Sequence, residues 1–218
     1  YGMGSSHSVS MSTANAYYSG SAPTGYVEAV SAGASNASTT LSFNHKLIVS
    51  YTNAGGSQID VIDTTYYGYK VIRSTFGIPN SDIPASSTTI KHRSESLGQP
   101  SDYQTVGEVR VTYPHTFDFE NSSWFDFTLE SATGSKNLIS VSNFNGSSPI
   151  LWLFSGDTVK SLPMVSAGGN LDVLVPNNAS ATSQELIMFD LSQVKSVLYG
   201  SGSSTDRRIT PVMKNGTF

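Results

Sequence analysis

Alternation of apolar and polar residues over an eleven-residue stretch is the feature that most constrains the fold of this chain. One face of the alternation consists of Leu41, Phe43, His45, Leu47, Val49 and Tyr51. Successive side chains of a β-strand point to opposite faces, so this set predicts a half-buried strand. Turn-forming residues follow at 53–56, and an apolar stretch from Ile59 to Ile62 predicts the returning strand of a hairpin.

The same alternation recurs further along the chain, from Val109 to Phe119 and from Trp124 to Glu130. Short apolar stretches separated by Gly, Pro, Asn and Ser then continue to Leu191, a spacing typical of a meander or Greek key. Strands do not alternate with helical stretches, which disfavours parallel α/β folds. The sequence therefore predicts an all-β chain, an antiparallel β-sandwich of jelly-roll type with about 11 or 12 strands. At most one short helix is expected, at 192–199.

Composition predicts three parts. Residues 1–22 are rich in Ser, Gly, Ala and Tyr without a clear period, which indicates an irregular N-terminal arm. Residues 23–199 hold the predicted strands and form the β-sandwich domain, and a subdivision near residue 120 is the alternative to a single domain. Residues 200–218 begin with a Gly/Ser-rich link and are interpreted as a flexible C-terminal tail.

The charge, the length of the apolar runs and the lack of cysteine exclude several classes of function. Only 13% of the residues are charged, the net charge is −4, and 38 serines and 20 threonines make up more than a quarter of the chain. The longest basic run is the pair Arg207-Arg208, so a phosphate-neutralising surface for nucleic acid is missing. No apolar run approaches the roughly 18 residues of a membrane-spanning helix. Cysteine is absent, which excludes disulfides, thiolate catalysis and Cys-type zinc sites.

Two histidines are candidates for a catalytic base or a metal ligand. His45 and His115 both fall on the apolar face of an alternating stretch. The preferred interpretation is a buried or rim ring that is hydrogen-bonded to the backbone, because no HxH or HExxH spacing accompanies either residue.

Carboxylates offer a second candidate chemistry. Asp118, Glu120, Asp126 and Glu130 would lie on two strands that can pair as a hairpin, and a carboxylate pair separated by about 5 to 10 Å can hydrolyse glycosides. The solvent face of any hairpin carries such residues, and that interpretation is preferred. We therefore predict no catalytic residue and no enzymatic activity.

Calcium is the one cofactor that the sequence leaves open. Carboxylates near turns can supply oxygen ligands, and here they are Asp60, Asp63 and Asp157. One or two carboxylates in a loop do not define a site, so the prediction is that no cofactor or metal is bound.

Aromatic residues are the remaining indication of function. The candidate interface or ligand residues are Tyr66, Tyr67, Tyr69, Trp124 and Trp152. Tyr and Trp combine a large apolar area with a polar tip, which suits them to protein interfaces and to stacking on ligands. The same residues are also common in ordinary sheets.

The stretch Val106-Gly107-Glu108-Val109-Arg110-Val111-Thr112-Tyr113, continuing to Phe119, resembles the final strand of the shell domain in small icosahedral virus coats. In tombusvirus-like and sobemovirus-like coat proteins, a Gly-acidic-apolar-x-Val-x-Tyr strand ends the jelly roll. The resemblance covers 14 of 218 residues. Only 105 residues precede it, too few for a whole shell domain, and the β-rich remainder would correspond to a protruding domain.

Three hypotheses of function follow. The first is a non-enzymatic structural subunit, a virion coat or surface protein that packs against copies of itself or sister subunits and can meet a host-surface glycan or protein receptor. The second is an extracellular adhesin or carbohydrate-binding β-sandwich module at a cell surface, in which an aromatic face stacks on sugar rings. The third is a β-sandwich hydrolase that uses the carboxylates between residues 118 and 130.

Overall fold

The computed structural model describes residues 1–18, 22–37, 40–132, 134–178 and 181–194, and most of them lie in antiparallel strands. The strands are β1 (Ser6–Ser12), β2 (Gly25–Gly33), β3 (His45–Thr52), β4 (Gln58–Tyr66), β5 (Val71–Ile78), β6 (Ser87–Ser94), β7 (Gln104–Thr112), β8 (Trp124–Glu130), β9 (Lys136–Val141), β10 (Pro149–Ser155), β11 (Thr158–Leu162), β12 (Met164–Ala167), β13 (Asn170–Pro176) and β14 (Ser183–Asp190). The predicted all-β antiparallel class is confirmed, with fourteen strands instead of 11 or 12.

Helical structure is limited to two 3-10 turns in these ranges, Asn80–Asp82 and Leu191–Gln193. The second turn begins where a short helix was expected, and the Asp190 carboxylate caps it by accepting the backbone N–H of Ser192 at 3.0 Å. Residues 195–199 and the predicted tail 200–218 lie outside the described residues. Within the described part of the chain, no helix has the length and apolar character needed to cross a membrane.

The chain divides into two compact units, Tyr1–Asp118 (unit 1) and Phe119–Phe218 (unit 2). Unit 1 contains a four-stranded sheet with the order β1-β6-β3-β4 and a three-stranded sheet with the order β5-β2-β7. Unit 2 repeats this division, with the sheets β11-β10-β14-β8 and β12-β13-β9. The boundary lies near residue 120, where the sequence offered a subdivision.

Both sheets of unit 1 contribute to one hydrophobic core. Val27 and Ala29 come from the three-stranded sheet, whereas Leu47, Val49 and Ile90 come from the four-stranded sheet, and all are buried. Burial of each larger side chain contributes about 1.5 to 3 kcal/mol. The predicted strand β3 is present, but it begins at His45 instead of Leu41, and Phe43 is exposed. Ile48 and Ser50 of the opposite set are buried as well, so β3 is not half-buried as predicted.

The predicted hairpin between β3 and β4 is confirmed. Its turn closes with a hydrogen bond from the Asn53 N–H to the Ser57 carbonyl oxygen at 2.9 Å. Gly56 has a φ of +81°, a conformation that glycine adopts without steric cost.

An aromatic cluster stands at the centre of unit 2. Phe119 is 1% exposed and stacks on Phe125 with ring centroids 4.3 Å apart, while the Phe127 ring meets its edge at 5.5 Å. Leu151 and Leu186 of the same four-stranded sheet are also buried. The face of β8 that carries Phe125 and Phe127 is therefore the one that packs against Phe119 in the core of unit 2.

The predicted irregular arm at residues 1–22 contains a strand. Residues Ser6–Ser12 form β1, which pairs with β6 along its whole length. Only Val9 and Met11 are aliphatic or sulfur-containing apolar residues there, so hydrophobic periodicity does not reveal this edge strand. The hydroxyls of Ser10 and Thr89 lie 2.8 Å apart across the pair.

The strand predicted from Val109 to Phe119 is shorter than expected. β7 ends at Thr112, two residues before Pro114, which has no N–H to donate to a sheet. β7 lies at the edge of its sheet, as this proline favours.

His92 is a buried polar side chain in unit 1 without a hydrogen bond. Its side chain is fully buried opposite Val49 and His7, and neither ring nitrogen has a partner among the described residues. Burial, together with the nearby charge of His7, lowers the pKa of His92 to about 4.

Acid is therefore expected to destabilise unit 1 through His92. Between its ordinary pKa of 6.5 and about 4, the unfolded chain binds a proton on this ring that the folded chain does not. The free energy of unfolding should fall over this window by up to about 3 kcal/mol as the pH falls. His92→Leu removes the titration and should flatten the dependence, measured by urea unfolding near pH 7 and near pH 4.5.

His7→Gln is the matched control for this experiment. It leaves the buried ring of His92 in place, so most of the pH dependence should remain. If His92→Leu loses stability in acid as steeply as the unmodified chain, the assignment is wrong.

Candidate functional site

The five predicted aromatic residues are divided between the two units. Tyr66 ends β4 and is 3% exposed, and its ring stacks on His45 at a centroid distance of 4.7 Å. Tyr67 and Tyr69 follow in the turn to β5 and are exposed. Trp124 and Trp152 lie on strands of unit 2. Tyr66 is thus a core residue, whereas the other four reach the surface to different extents.

A buried polar network occupies one end of unit 1. His45 Nδ1 lies 2.5 Å from Asp102 Oδ1, and His45 Nε2 lies 2.9 Å from the carbonyl oxygen of Ser35. The second carboxylate oxygen of Asp102 accepts hydrogen bonds from Ser94 Oγ at 2.7 Å and from Gln104 Nε2 at 3.0 Å. His45, Asp102 and Ser94 are all fully buried.

The arrangement of these groups differs from that of a hydrolytic triad. In a triad, the His nitrogen not bound to the carboxylate accepts the serine proton. Here that nitrogen of His45 faces a carbonyl oxygen, and the Ser94 hydroxyl donates to Asp102. Both ring nitrogens face acceptors, Asp102 Oδ1 on one side and the Ser35 carbonyl oxygen on the other, so neither is left free. This geometry holds the chain in place and presents neither a free base nor an activated nucleophile.

The network connects the two sheets of unit 1. Ser35 follows β2 and Asp102 precedes β7, both strands of the three-stranded sheet, whereas His45 begins β3 and Ser94 ends β6 in the four-stranded sheet. For His45, the predicted hydrogen bond to the backbone is confirmed, and its carboxylate partner was not foreseen. His115 is half-buried and its Nδ1 contacts the carbonyl oxygen of Thr116, also as predicted.

The candidate carboxylates Asp118, Glu120, Asp126 and Glu130 do not lie on the two strands of a hairpin. β7 pairs with β2 and β8 pairs with β14, so the strands expected to carry the two acids are not neighbours. Asp126 and Glu130 lie on β8, whereas Asp118 and Glu120 lie outside the strands. The end of β7 before Pro114 accounts for this correction.

The candidate calcium ligands have other neighbours or lie in turns. Asp60 Oδ2 accepts a hydrogen bond from Arg93 at 3.0 Å, and this contact lowers the pKa of Asp60. Asp63 lies 3.4 Å from Lys46 Nζ, and Asp157 lies in the turn between β10 and β11. Over the described ranges, no three His, Asp or Glu side chains converge as metal ligands.

Paired charges cover the outer faces of both sheets in unit 1. On the four-stranded sheet the ion pairs link Lys46, Asp63, Glu95, Arg93 and Asp60. On the three-stranded sheet Arg110 lies between Glu28, at 3.6 Å, and Glu108, at 2.9 Å. These faces are suited to contact with water.

The outer face of the four-stranded sheet in unit 2 carries an aromatic row, which consists of Trp124, Phe189 and Trp152. Trp124 lies directly opposite Phe189 on neighbouring strands, with ring centroids 6.0 Å apart. The Trp152 ring meets the other side of Phe189 edge-on at 4.7 Å. Phe189 is 3% exposed, whereas half of Trp124 is open to solvent. The row thus brings together two predicted residues through one that the sequence analysis missed.

The outer face of the three-stranded sheet in unit 2 carries an aliphatic patch, which consists of Leu138, Leu174 and Val165. Leu138 and Leu174 are directly opposite each other on β9 and β13, and Val165 of β12 pairs with Asp172 on the same face. Their exposed fractions are 66%, 53% and 67%. The one indication of this patch in the sequence is that β13 carries apolar residues on both of its faces.

Removing the charge of Asp102 should destabilise the chain strongly. Asp102→Asn removes the buried carboxylate that His45, Ser94 and Gln104 all contact, and each buried polar group left without its partner costs about 1 to 3 kcal/mol. We expect a loss of about 3 kcal/mol in the free energy of unfolding, measured by urea titration at neutral pH.

The control is Asp63→Asn, which removes a carboxylate that is 62% exposed from its contact with Lys46. Its effect should stay within about 1 kcal/mol. Equal losses in the two variants would contradict the structural role of the buried pair.

The sequence matches no protein-family model and no curated protein. Among solved structures, the chain is similar to dimeric latent PorU from Porphyromonas gingivalis, with a TM-score of 0.58 and 11% sequence identity. The similarity covers 88% of this chain and 18% of the PorU chain. At this level of identity the likeness shows the fold alone, so the β architecture described above is shared with a limited part of a much longer polypeptide.

Proposed function

We propose that this chain is a non-catalytic structural module that acts by packing the apolar outer faces of unit 2 against other protein subunits. The aliphatic patch is the observation that carries this proposal. Three aliphatic side chains, each more than half exposed, stand together on one face of a short sheet. Contiguous apolar surface of this kind is typical of contact sites, because its removal from water contributes about 25 cal/mol per Å².

The contrast between the units supports the same proposal. The outer faces of unit 1 carry ion pairs, whereas those of unit 2 carry the aromatic row and the aliphatic patch. Within the patch, Asp172 Oδ1 is buried and has no hydrogen-bond partner among the described residues.

A non-catalytic role agrees with the only buried His, Asp and Ser group described above. His45 directs both ring nitrogens to acceptors and Ser94 donates to Asp102, so their polar atoms are used in holding the fold.

The partners we favour are copies of this chain or sister subunits of one assembly. The likeness to 18% of the PorU chain is compatible with a module that packs against other parts of a larger assembly. A virion coat is the second setting, and it rests on the resemblance at Val106–Phe119, of which β7 supplies the last strand of unit 1. An extracellular adhesin or carbohydrate-binding module is favoured by exposed tyrosines at one end of unit 1.

A charge in the aliphatic patch should weaken assembly without unfolding the chain. Leu174→Asp places a carboxylate where a partner would have to bury it, so association should fall by about a hundredfold or more. The measurement is mass by light scattering over a concentration series, with negative-stain imaging of the largest species.

Val71→Asp is the matched control, because Val71 has the same exposed fraction of 53% but lies in unit 1. It should leave association unchanged. Closed particles would favour the virion setting, and small oligomers would favour the module. An unmodified chain that stays at its monomer mass of 23.2 kDa at high concentration would contradict the packing proposal.

A further inference from the structure

One end of unit 1 collects the ends of strands from both sheets. Strand pairing places His45 beside Tyr66, Ala32 beside Val71, and Gly33 beside Gln104. Ser94 lies opposite Leu47 and Ser6 lies opposite Arg93, so all seven strands of unit 1 begin or finish at this end.

Four exposed aromatic side chains stand on the loops at this end, and we call them the aromatic end. They are Phe43, Tyr67, Tyr69 and Tyr103, with exposed fractions of 49%, 42%, 71% and 56%. Aromatic side chains on neighbouring loops can together bury a large ligand area, because each ring contributes a rigid apolar surface.

Hydrogen bonds hold these loops in fixed positions. The Ala34 N–H donates to the Tyr103 carbonyl oxygen at 2.7 Å, and the Gly33 N–H donates to the Lys70 carbonyl oxygen at 3.1 Å. The buried pair of His45 and Asp102 lies beneath them. The rings are therefore presented with little remaining loop entropy to lose on binding.

Asn44 adds a second set of contacts at the same end. Its side-chain oxygen accepts the Gly68 N–H at 2.9 Å, and its amide nitrogen donates to Asn36 Oδ1 at 2.8 Å. The Asn44 N–H also donates to the Tyr66 carbonyl oxygen at 3.1 Å. This one buried residue therefore links the loops that carry Phe43 and Tyr67.

Close approach of the loops depends on Gly33. A Cβ atom at this position would lie 2.2 Å from the carbonyl oxygen of Gly68 and 2.7 Å from His45 Nε2. Any larger residue must push the turn that carries Tyr67 and Tyr69 away from the network.

The polar groups at this end suit an uncharged ligand rich in oxygen atoms. Residues 34–44 contain no charged residue and consist largely of Ser, Thr, Asn and Ala. Two buried donors, the Tyr66 hydroxyl and Gln99 Nε2, have no partner among the described residues. Burial and the charge of Asp102 raise the pKa of Tyr66, so its hydroxyl keeps the proton that it can donate.

We propose that the aromatic end binds a neutral saccharide chain, with the rings of Tyr69 and Tyr103 stacking on sugar faces and the loop amides and hydroxyls bonding sugar hydroxyls. Rigid aromatic rings and abundant amides and hydroxyls favour a saccharide. Lys70 is exposed beside Tyr69, but a single cation is too little positive charge for an acidic polymer. This proposal concerns unit 1 and does not rest on the packing role of unit 2.

The test measures binding of the full chain to immobilised cello-, manno-, xylo- and chito-oligosaccharides, with heparin and an unrelated denatured protein as further probes. We expect binding to at least one neutral series. Tyr69→Ala and Tyr103→Ala should each weaken it by about tenfold. Tyr26→Ala is the matched control, because Tyr26 is 43% exposed near the opposite end of β2, and it should change affinity less than about twofold.

Gly33→Ala tests the positioning of the loops and should also weaken saccharide binding. Circular dichroism melting must show that each variant is folded. If Gly33→Ala is not folded, Tyr69→Ala and Tyr103→Ala still decide the test. Leu174→Asp should bind saccharide normally, which separates this proposal from subunit packing. Failure to bind any neutral series, binding that the tyrosine variants leave unchanged, or binding only to heparin or to protein would overturn the proposal.

Discussion

The buried contact between His45 and Asp102 is the interaction on which unit 1 depends. Taking a carboxylate and an imidazole ring out of water costs free energy, and this cost is recovered only when their remaining hydrogen bonds are complete. Ser35, Ser94 and Gln104 complete them here, and these residues come from both sheets. The pair therefore stabilises one arrangement of four chain segments and loses its advantage in any other.

Alternation in the sequence predicts local structure well and long-range pairing poorly. β8 follows its apolar positions closely, because only one of its faces is covered. β3 begins four residues after the predicted alternation and buries Ile48 and Ser50 as well as the apolar set. β1 was not predicted, because a strand of alternating serines has little apolar periodicity. The candidate hairpin after Pro114 does not form, because β7 ends before this proline and pairs with β2. Among site residues, Tyr67 and Trp124 were predicted by residue type alone. Phe189 was missed, because its exposure and neighbours depend on which strands pair.

Both units consist of a four-stranded and a three-stranded sheet, but the outer faces of these sheets differ in polarity between the units. Charged side chains on the outer faces of unit 1 find partners across strands, so those faces remain well hydrated at little cost. The strands of unit 2 are apolar on both sides at several positions, and their outer faces gain stability only when covered. The same arrangement of two sheets can thus offer its loops for binding in unit 1 and its outer sheet faces for binding in unit 2.

The edge position of β1 has a consequence for how unit 1 folds. The hydroxyls that meet at Ser10 and Thr89 are 79 residues apart in sequence, and the pair of His45 and Asp102 spans 57 residues. Contacts of such long range form slowly, since the entropy of closing a large loop is lost before any contact is gained. During synthesis, β1 stays unpaired until β6 has left the ribosome. Because β1 is rich in hydroxyl groups, it offers little apolar surface to a neighbouring nascent chain during that time.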